Sequence, residues 1–400
     1  MTEYLPDLLK RLIAGENPAG ELAQMVAEEN AHYRQQLAAA QSDSSSTVLE
    51  LSETPLAPAS NPSKMKLTKL WTSSEIGEPG NITVVPTKDG QSRILVHDHE
   101  TNWRTLVELD AAGKLVARHE LPVKDDAAIA LLKTVVDHEG RRWYAAGAKM
   151  GPQVFVFDEE FKLAFAYPDA PSREAQISDF ALVNFRDDAP PQLCVGFWGV
   201  IGMHGVDLSG KRQWTNRAAA PILNMATSPQ NEAGWRQVLA VNDQGVIVPV
   251  NGFGRDDPSA KVEGYTITQL HSANFSHDRS SAYVGMSVQA NGNTLAVALS
   301  PEMSVEWDVP LPAGFHRNQI QPVTSGQLIQ GGAGEWVFAN ADGTIGIVSD
   351  DLSFYDSFAT GQRLSGVAVA PSGGIGMLLL STPDGVTAWR PAPVLGPAAP

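Results

Sequence analysis

The stretch GMHGVDLSGKRQWTNR, residues 202–217, contains an apolar strand, a turn that begins at Asp207, and a second strand that carries Trp214. The same order of elements returns along most of the chain, with a degenerate copy near Asn251. The other copies are TLVELDAAGKLVARHEL at 105–121, VFVFDEEFKLAFAYP at 154–168, LAVALSPEMSVEWDVPL at 295–311 and GIVSDDLSFYDSFA at 346–359. Successive turns are about 44 to 50 residues apart, which is the spacing of β-propeller blades. We therefore predict an all-β propeller.

The ends of the repeat predict how the ring closes. Blades are expected at about 76–122, 126–168, 175–218, 219–266, 267–312 and 313–360, and the remaining C-terminal sequence supplies only three strands. The segment LTKLWTS at 67–73 precedes the first blade and has the character of an outer strand. We expect it to complete the last blade, which gives seven blades and removes a free sheet edge.

The flanking segments differ from the repeat. Residues 1–41 carry apolar side chains at helical spacing, such as Leu5, Leu8 and Leu12, and predict an amphipathic helical extension. Residues 42–65 are rich in Ser, Pro and Ala and predict a flexible linker. The propeller is expected to span residues 66–391, and residues 392–400 are expected to form a Pro-rich tail.

Composition restricts the classes of partner. The chain of 400 residues is 43% hydrophobic, which is sufficient for a packed core, and has a formal net charge of −16. Nonspecific binding to nucleic acid or to anionic membranes needs a surplus of Lys and Arg, so neither partner is expected. The only cysteine, Cys194, lies in an apolar run and is expected to be a buried structural thiol. No signal peptide or membrane span is recognisable, and we expect a cytoplasmic protein.

The repeat resembles those of quinoprotein-like propellers, which include WD40-like and PQQ-like repeats. In that family a strand ends in Asp, a Gly-containing turn follows, and a Trp on the outer strand packs between blades; Trp71, Trp214 and Trp307 match this position. Quinoprotein dehydrogenases bind pyrroloquinoline quinone and calcium, have eight blades and use adjacent cysteines. This chain has one cysteine and seven expected blades, so it is more similar to the non-catalytic relatives, which are scaffolds and assembly factors. The resemblance then implies no cofactor.

The sequence contains little recognisable catalytic chemistry. No G-x-S-x-G motif, P-loop or Rossmann fingerprint is present, and we assign no catalytic residue. His97 and His99 would point to the same face of a strand, as a metal pair requires, but no third ligand is identifiable by spacing. We therefore predict no metal site and interpret these residues as a solvated strand end.

Five basic or titratable side chains stand just before or at the expected innermost strands: Arg173, His271, His316, Arg317 and Arg363. Innermost strands line the channel of a propeller, so these side chains could converge on one rim and bind a carboxylate, a phosphate or an acidic peptide side chain. Pairing with acids of neighbouring blades is the alternative.

Together these features predict a non-catalytic binding or scaffold propeller. Its rim or central channel would bind a protein, a peptide or a small anion, and residues 1–41 could mediate self-association. The alternative is a quinoprotein-like or lactonase-like propeller enzyme with a metal or cofactor in the channel, held by groups such as His271 and His316. A third possibility is a ring that only carries the N-terminal helices.

Overall fold

The computed structural model describes residues 54–394 apart from short gaps at 88–91, 100–103, 125–126, 128, 172–175, 274–281, 290–292, 315, 317–318, 331, 333 and 373–374. These residues form seven antiparallel sheets of four strands each. The chain is therefore a seven-bladed β-propeller, as the repeat predicts.

Strand β1 (Met65–Ser73) comes first in the chain and belongs to the last sheet. Six sheets then follow, each made of four consecutive strands. The first three of these sheets contain β2 (Pro79–Pro86), β3 (Ser92–Asp98), β4 (Thr105–Leu109) and β5 (Leu115–Glu120); β6 (Leu131–Val136), β7 (Arg142–Gly147), β8 (Val154–Phe157) and β9 (Leu163–Tyr167); and β10 (Ile177–Val183), β11 (Gln192–Phe197), β12 (Met203–Val206) and β13 (Arg212–Asn216).

The next three sheets have the same order. They contain β14 (Ile222–Thr227), β15 (Val238–Asn242), β16 (Val246–Val250) and β17 (Ala260–Lys261); β18 (Ile267–Ser272), β19 (Tyr283–Val288), β20 (Thr294–Leu299) and β21 (Val305–Leu311); and β22 (Val323–Gly326), β23 (Glu335–Ala339), β24 (Thr344–Ser349) and β25 (Tyr355–Ala359). The two-residue β17 is the outer strand that follows Asn251, which explains the degenerate repeat there.

The seventh sheet joins the two ends of the ring. It contains β26 (Gly366–Ser372), β27 (Ile375–Thr382) and β28 (Gly385–Pro393), and β1 pairs antiparallel with β28 as its outermost strand. The segment 67–73 thus occupies the place left by the missing outer strand. Strand β28 continues into the expected tail, since Pro393 pairs with Met65. Proline is tolerated there because β27 pairs with β28 only as far as Trp389. Beyond Trp389 one edge of β28 has no neighbouring strand, so the N–H group that proline lacks is not needed on that edge.

The repeated turn has the same hydrogen bonds in successive blades. The Oδ1 atom of Asp207 accepts bonds from the backbone N–H groups two and four residues later, and Asp110, Asp158 and Asn251 do the same. An aromatic side chain of the preceding blade packs on the turn, as Phe165 does on Gly210. Side-chain capping and an interblade contact therefore explain why this short motif recurs.

The hydrophobic core lies between neighbouring sheets. Phe180 of β10, for example, belongs to a buried cluster with Leu131, Ala145 and Val154 of the preceding blade. Cys194 is buried and unpaired, and burial raises the pKa of its thiol. Each blade therefore needs its neighbours to bury its two apolar faces.

Part of the segment expected to be a flexible linker is bound to the sixth blade. Ser60 forms a β-bridge with Ala359, and the N–H groups of Ser63 and Met65 donate to the Asp356 carboxylate. The prediction of a flexible linker is therefore wrong for this part, because its backbone donors find acceptors on β25. The helices expected at 1–41 and the first part of the linker lie outside the described residues.

Candidate functional site

A cavity of about 280 Å³ lies along the innermost strands on one side of the ring. Residues of β6, β10, β14 and β18 line it, together with residues 320–322. Hydrogen bonds link these strands across the blade boundaries: Met225 N donates to Asp179 Oδ2 at 2.8 Å, and Leu270 N donates to Asn224 Oδ1 at 2.7 Å. The wall of the cavity is therefore held in place by buried polar contacts.

The segment before β22 closes part of this wall. Gln319 Oε1 accepts a bond from Lys149 N at 2.6 Å, and Gln319 Nε2 donates to Lys149 O at 3.0 Å. Gln321 N donates to Asn81 Oδ1 at 2.8 Å. The segment thus links the sixth blade to the first and second blades and fixes the backbone of Lys149 beside the cavity.

The cavity contains an ion pair whose carboxylate is buried and whose lysine is partly exposed. Lys133 Nζ lies 2.8 Å from Asp179 Oδ1, and Asn224 Nδ2 donates to the other carboxylate oxygen at 2.9 Å. Burial alone would raise the pKa of Asp179, but the ammonium groups of Lys133 and Lys149 outweigh it and lower the pKa. Asp179 is therefore a satisfied carboxylate that remains ionised at neutral pH.

Three further side chains line the cavity with unused polar capacity. Among the described residues, no carboxylate forms an ion pair with Lys149, whose pKa is lowered by burial. The Nε2 atom of His271 and the Oε1 atom of Gln269 are buried without a hydrogen-bond partner. Burial, followed by the nearby ammonium groups, lowers the pKa of His271 to about 3, so this imidazole is neutral at pH 7.

The predicted rim residues have different positions. His271 lines the cavity, whereas His316 Nε2 donates to Ala339 O at 2.9 Å and does not line it. Arg363 does not line it either, but its charge helps to lower the pKa of His316, after burial as the main cause. Arg173 and Arg317 lie outside the described residues, so the convergence of all five side chains stays a prediction.

Sequence reasoning missed the charged residues that do line the cavity. Lys133 and Asp179 interrupt the apolar runs LLKTVV and ISDFALV, which become the inner strands β6 and β10. A charge inside an innermost strand was therefore a usable signal. Lys149 gave no such signal, because it follows β7 and its contacts come from Gln319, 170 residues away.

The interpretation of His97 as part of a solvated strand end is wrong. His97 is buried on β3, and neither of its ring nitrogens has a hydrogen-bond partner. Burial, together with His99, whose ring centroid lies 6.2 Å away, lowers the pKa of His97 to about 3. The strand is covered on both faces, because Val96 belongs to a buried cluster with the seventh blade and Leu95 to one with the second blade.

The described part of the chain offers neither a metal cluster nor a membrane-spanning helix. No group of three or more His, Cys, Asp or Glu side chains there could hold a metal ion. No helix in the described ranges is long and apolar enough to cross a membrane.

An exposed aromatic surface lies on the third and fourth blades and consists of Arg186, Trp235 and Phe253. The rings of Trp235 and Phe253 are 5.9 Å apart between centroids, and the Arg186 guanidinium lies 5.0 Å from the centre of the Trp235 ring. Phe253 is 68% exposed. We call these three residues the Arg–Trp–Phe surface.

A large apolar side chain is unusual at the position that Phe253 has in the repeat. It is the third residue of the turn that starts at Asn251, and its N–H donates to Asn251 Oδ1. The equivalent residues of the other turns are also exposed, and none of them is a large apolar side chain. They are Ala112, Glu160, Ser209, Glu302 and Asp351. The turn itself therefore does not require a phenylalanine at this position.

A larger cavity, of about 460 Å³, lies between the sixth and seventh blades beside residues 59–61. Lys69 and Trp389 line it and contact each other, with Nζ 5.2 Å from the ring centre. Its other polar side chains include Asp384, which accepts a hydrogen bond from Gln362. Because its charged groups are engaged within the blades, we regard it as a groove formed by ring closure.

Comparison with known proteins identifies the fold but no family. No protein-family model matches the chain, and no curated protein matches it. Solved structures do match, among them crystal structures of BBS1N in complex with ARL6DN, soaked with lead or with mercury. The lead structure has a TM-score of 0.54 and 14% identity over 84% of this chain and 99% of the other. For the mercury structure the values are 0.56 and 12%, over 83% and 98%. At this identity the similarity shows the propeller fold alone.

Proposed function

We propose that this chain is a non-catalytic propeller that binds a protein partner through the Arg–Trp–Phe surface. The observation that carries the proposal is the exposed Phe253 at a turn position where the other blades carry small or polar side chains. A large aromatic side chain that the fold does not need is expected to serve a contact. The quinoprotein-like, non-catalytic affiliation and the cytoplasmic location belong to the same proposal.

The composition of the surface supports a protein interface. Trp, Tyr and Arg are the residues enriched among those that dominate binding energy, and Phe is enriched in interfaces as well. Trp235 is already held in place by Arg186, which forms a β-bridge with it as well as the ring contact. A rigid aromatic surface loses little conformational entropy when a partner binds.

The charges around the surface indicate the chemistry of the partner. Asp187 and Asp188 are exposed and pair with Arg236 and Arg186, so carboxylates border the aromatic rings. The whole chain has a formal net charge of −16. These two carboxylates are neutralised by the two arginines, so the surface itself fits a protruding apolar side chain of a partner. The net charge of the whole chain favours a basic partner, because opposite charges accelerate association. The similar BBS1N structures were determined in complex with ARL6DN, another protein, which agrees with this use of the fold.

The expected contribution of Phe253 can be calculated. An aromatic side chain presents roughly 200 Å², and 68% of Phe253 is exposed. At ~25 cal/mol per Å², complete burial would contribute about 3 kcal/mol. Removing the ring should therefore weaken binding by about 100-fold if the partner buries it completely.

The test uses Phe253→Ser, which introduces the residue that the equivalent turn has at Ser209. Partners captured by the wild-type protein are identified by quantitative mass spectrometry, purified and titrated against each variant. We expect a partner whose affinity falls about 100-fold with Phe253→Ser and also falls with Trp235→Ala. The control is Val116→Ser, which removes an exposed apolar side chain from β5 of the first blade. Equal affinity for all variants would refute the assignment of this surface.

A further inference from the structure

The cavity of about 280 Å³ along the innermost strands, which we call the central cavity, contains more lysine side chains than carboxylates that pair with them. Lys133 is paired with Asp179, and Lys149 lines the same cavity without an ion pair to any described residue. With Lys149 protonated, two ammonium groups and one carboxylate leave one positive charge. A lysine that no protein carboxylate pairs with can bind the negative group of a ligand.

The unused hydrogen-bonding atoms restrict the chemistry further. Gln269 Oε1 only accepts hydrogen bonds, and it is buried without a donor. His271 Nε2 is also unpartnered, and the neutral imidazole can donate or accept there according to its tautomer. Leaving buried polar atoms unpaired is unfavourable, so a ligand should supply at least one donor besides its negative charge.

The volume of the cavity limits the size of the ligand. About 280 Å³ is available, and a water molecule occupies ~30 Å³ in the liquid. The space therefore accommodates roughly nine water-sized groups. This is sufficient for a small organic acid and is below the usual range of cofactor sites.

From these features we infer that the central cavity is a binding site for a small monocarboxylic acid that carries a hydroxyl group. The carboxylate of the ligand contacts the Lys149 ammonium, and its hydroxyl donates to Gln269 Oε1 beside His271. The single excess positive charge fits a monoanion better than a phosphate dianion. This site is separate from the Arg–Trp–Phe surface and does not depend on the proposed protein partner.

The test compares acids that differ by hydroxyl groups. Glycerate, propionate and inorganic phosphate are titrated into the full-length protein by isothermal calorimetry, and the ring signals of His271 are followed by NMR. We expect saturable binding of glycerate, a shift of the His271 signals, and at least tenfold weaker binding of propionate, because propionate leaves Gln269 unpaired. Phosphate should bind more weakly than glycerate.

Two variants assign the contacts. Lys149→Met should weaken glycerate binding at least about tenfold, the loss expected for a hydrogen bond to a charged group. Gln269→Leu should remove the preference for glycerate over propionate, because it removes the acceptor that the glycerate hydroxyl contacts. Lys162→Met makes the same substitution on an exposed turn and serves as the control.

Three results would overturn the inference. They are no saturable binding of either acid, tighter binding of phosphate than of glycerate, and unchanged glycerate affinity in folded Lys149→Met. If Lys149→Met does not fold, the comparison of glycerate with propionate in the wild type and in Gln269→Leu still decides.

Discussion

Replacing Asp356 with asparagine should loosen the closure of the ring. The side chain is buried on β25, and both of its oxygens accept bonds from the residues that lead into β1. Ser63 N donates to Oδ1 at 3.0 Å, and Lys64 N and Met65 N donate to Oδ2 at 2.6 and 3.0 Å. One carboxylate therefore fixes the point at which the exchanged strand begins.

The magnitude follows from the number of donors left without an acceptor. Ser357 N also donates to Oδ1, so each oxygen of Asp356 accepts two backbone N–H groups, and a side-chain amide in Asp356→Asn leaves two of them facing an NH₂ group in either orientation. With the oxygen at the Oδ1 position, the N–H groups of Lys64 and Met65 both lose their acceptor. Each buried, unsatisfied donor costs about 1–3 kcal/mol. We expect the free energy for opening β1 to fall by about 3 kcal/mol, which raises the population of the open state about 100-fold.

Hydrogen exchange of the β1 amides, followed by NMR or mass spectrometry, measures this opening directly. The control is Asp110→Asn, which changes an exposed turn to the residue found at the equivalent position, Asn251. If exchange in β1 rises no more in Asp356→Asn than in this control, the carboxylate does not hold the closure and the reasoning is refuted.

The same carboxylate gives the closure a pH dependence. Burial would raise the pKa of Asp356, but the hydrogen bonds from Ser63, Lys64 and Ser357 outweigh it and lower the pKa. A group with a lowered folded-state pKa stabilises the protein above its unfolded pKa of about 3.9 and loses that contribution as the pH falls. The protection factors of the β1 amides, which correct for the slower intrinsic exchange in acid, should therefore fall in wild type below about pH 4, and this fall should be absent in Asp356→Asn.

Two further predictions concern single blades. Burial would raise the pKa of Asp137, but four hydrogen bonds outweigh it and lower the pKa to about 2. The stability that this carboxylate provides should therefore be lost as the pH falls from about 4 to about 2. Urea titrations should show that the unfolding free energy of Asp137→Asn falls less over this pH range than that of wild type. Gly205 lies under the Trp214 ring, so a Cβ there would overlap the indole. Gly205→Ala should cost about 2–3 kcal/mol of unfolding free energy, whereas Gly346→Ala, whose nearest contact would be 3.8 Å away, should cost less than about 1 kcal/mol. Similar urea midpoints for the two variants would contradict the proposed overlap.

The architecture was predictable because each blade repeats the same local solution. An acid or amide at the end of one strand caps a turn, and the outer strand places an aromatic ring against the next blade, as Trp71 does when its Nε1 donates to Ala111 O at 3.0 Å. Both features leave a mark within about 15 consecutive residues. Periodicity therefore identifies the blades, and the missing outer strand indicates that LTKLWTS pairs with β28.

The cavity could not be predicted in the same way, because its groups meet through contacts distant in sequence. Lys149 depends on Gln319, and Asp179 depends on Lys133 and on Asn224 of the next blade. Lys133, Asp179 and Asn224 follow one another at 46 and 45 residues, which is the step between blades, so an alignment of the blades could have placed these three together. The contact of Lys149 with Gln319, 170 residues away, follows no such step. The five cations near the inner strands were selected by their order along the chain, and of the three that the structure describes only His271 lines the cavity.

The repeat nevertheless helps to separate function from folding once the blades are aligned. Residues that recur at equivalent positions, such as the capping Asp207 and Asp158, are explained by the turn. Phe253 departs from its equivalents on the surface, and Lys133 places a charge where inner strands are otherwise mostly apolar. A closed ring tolerates such departures because each blade packs against two neighbours, and these contacts stabilise it. The Arg–Trp–Phe surface and the central cavity therefore both contain residues that the folding of their blades does not require.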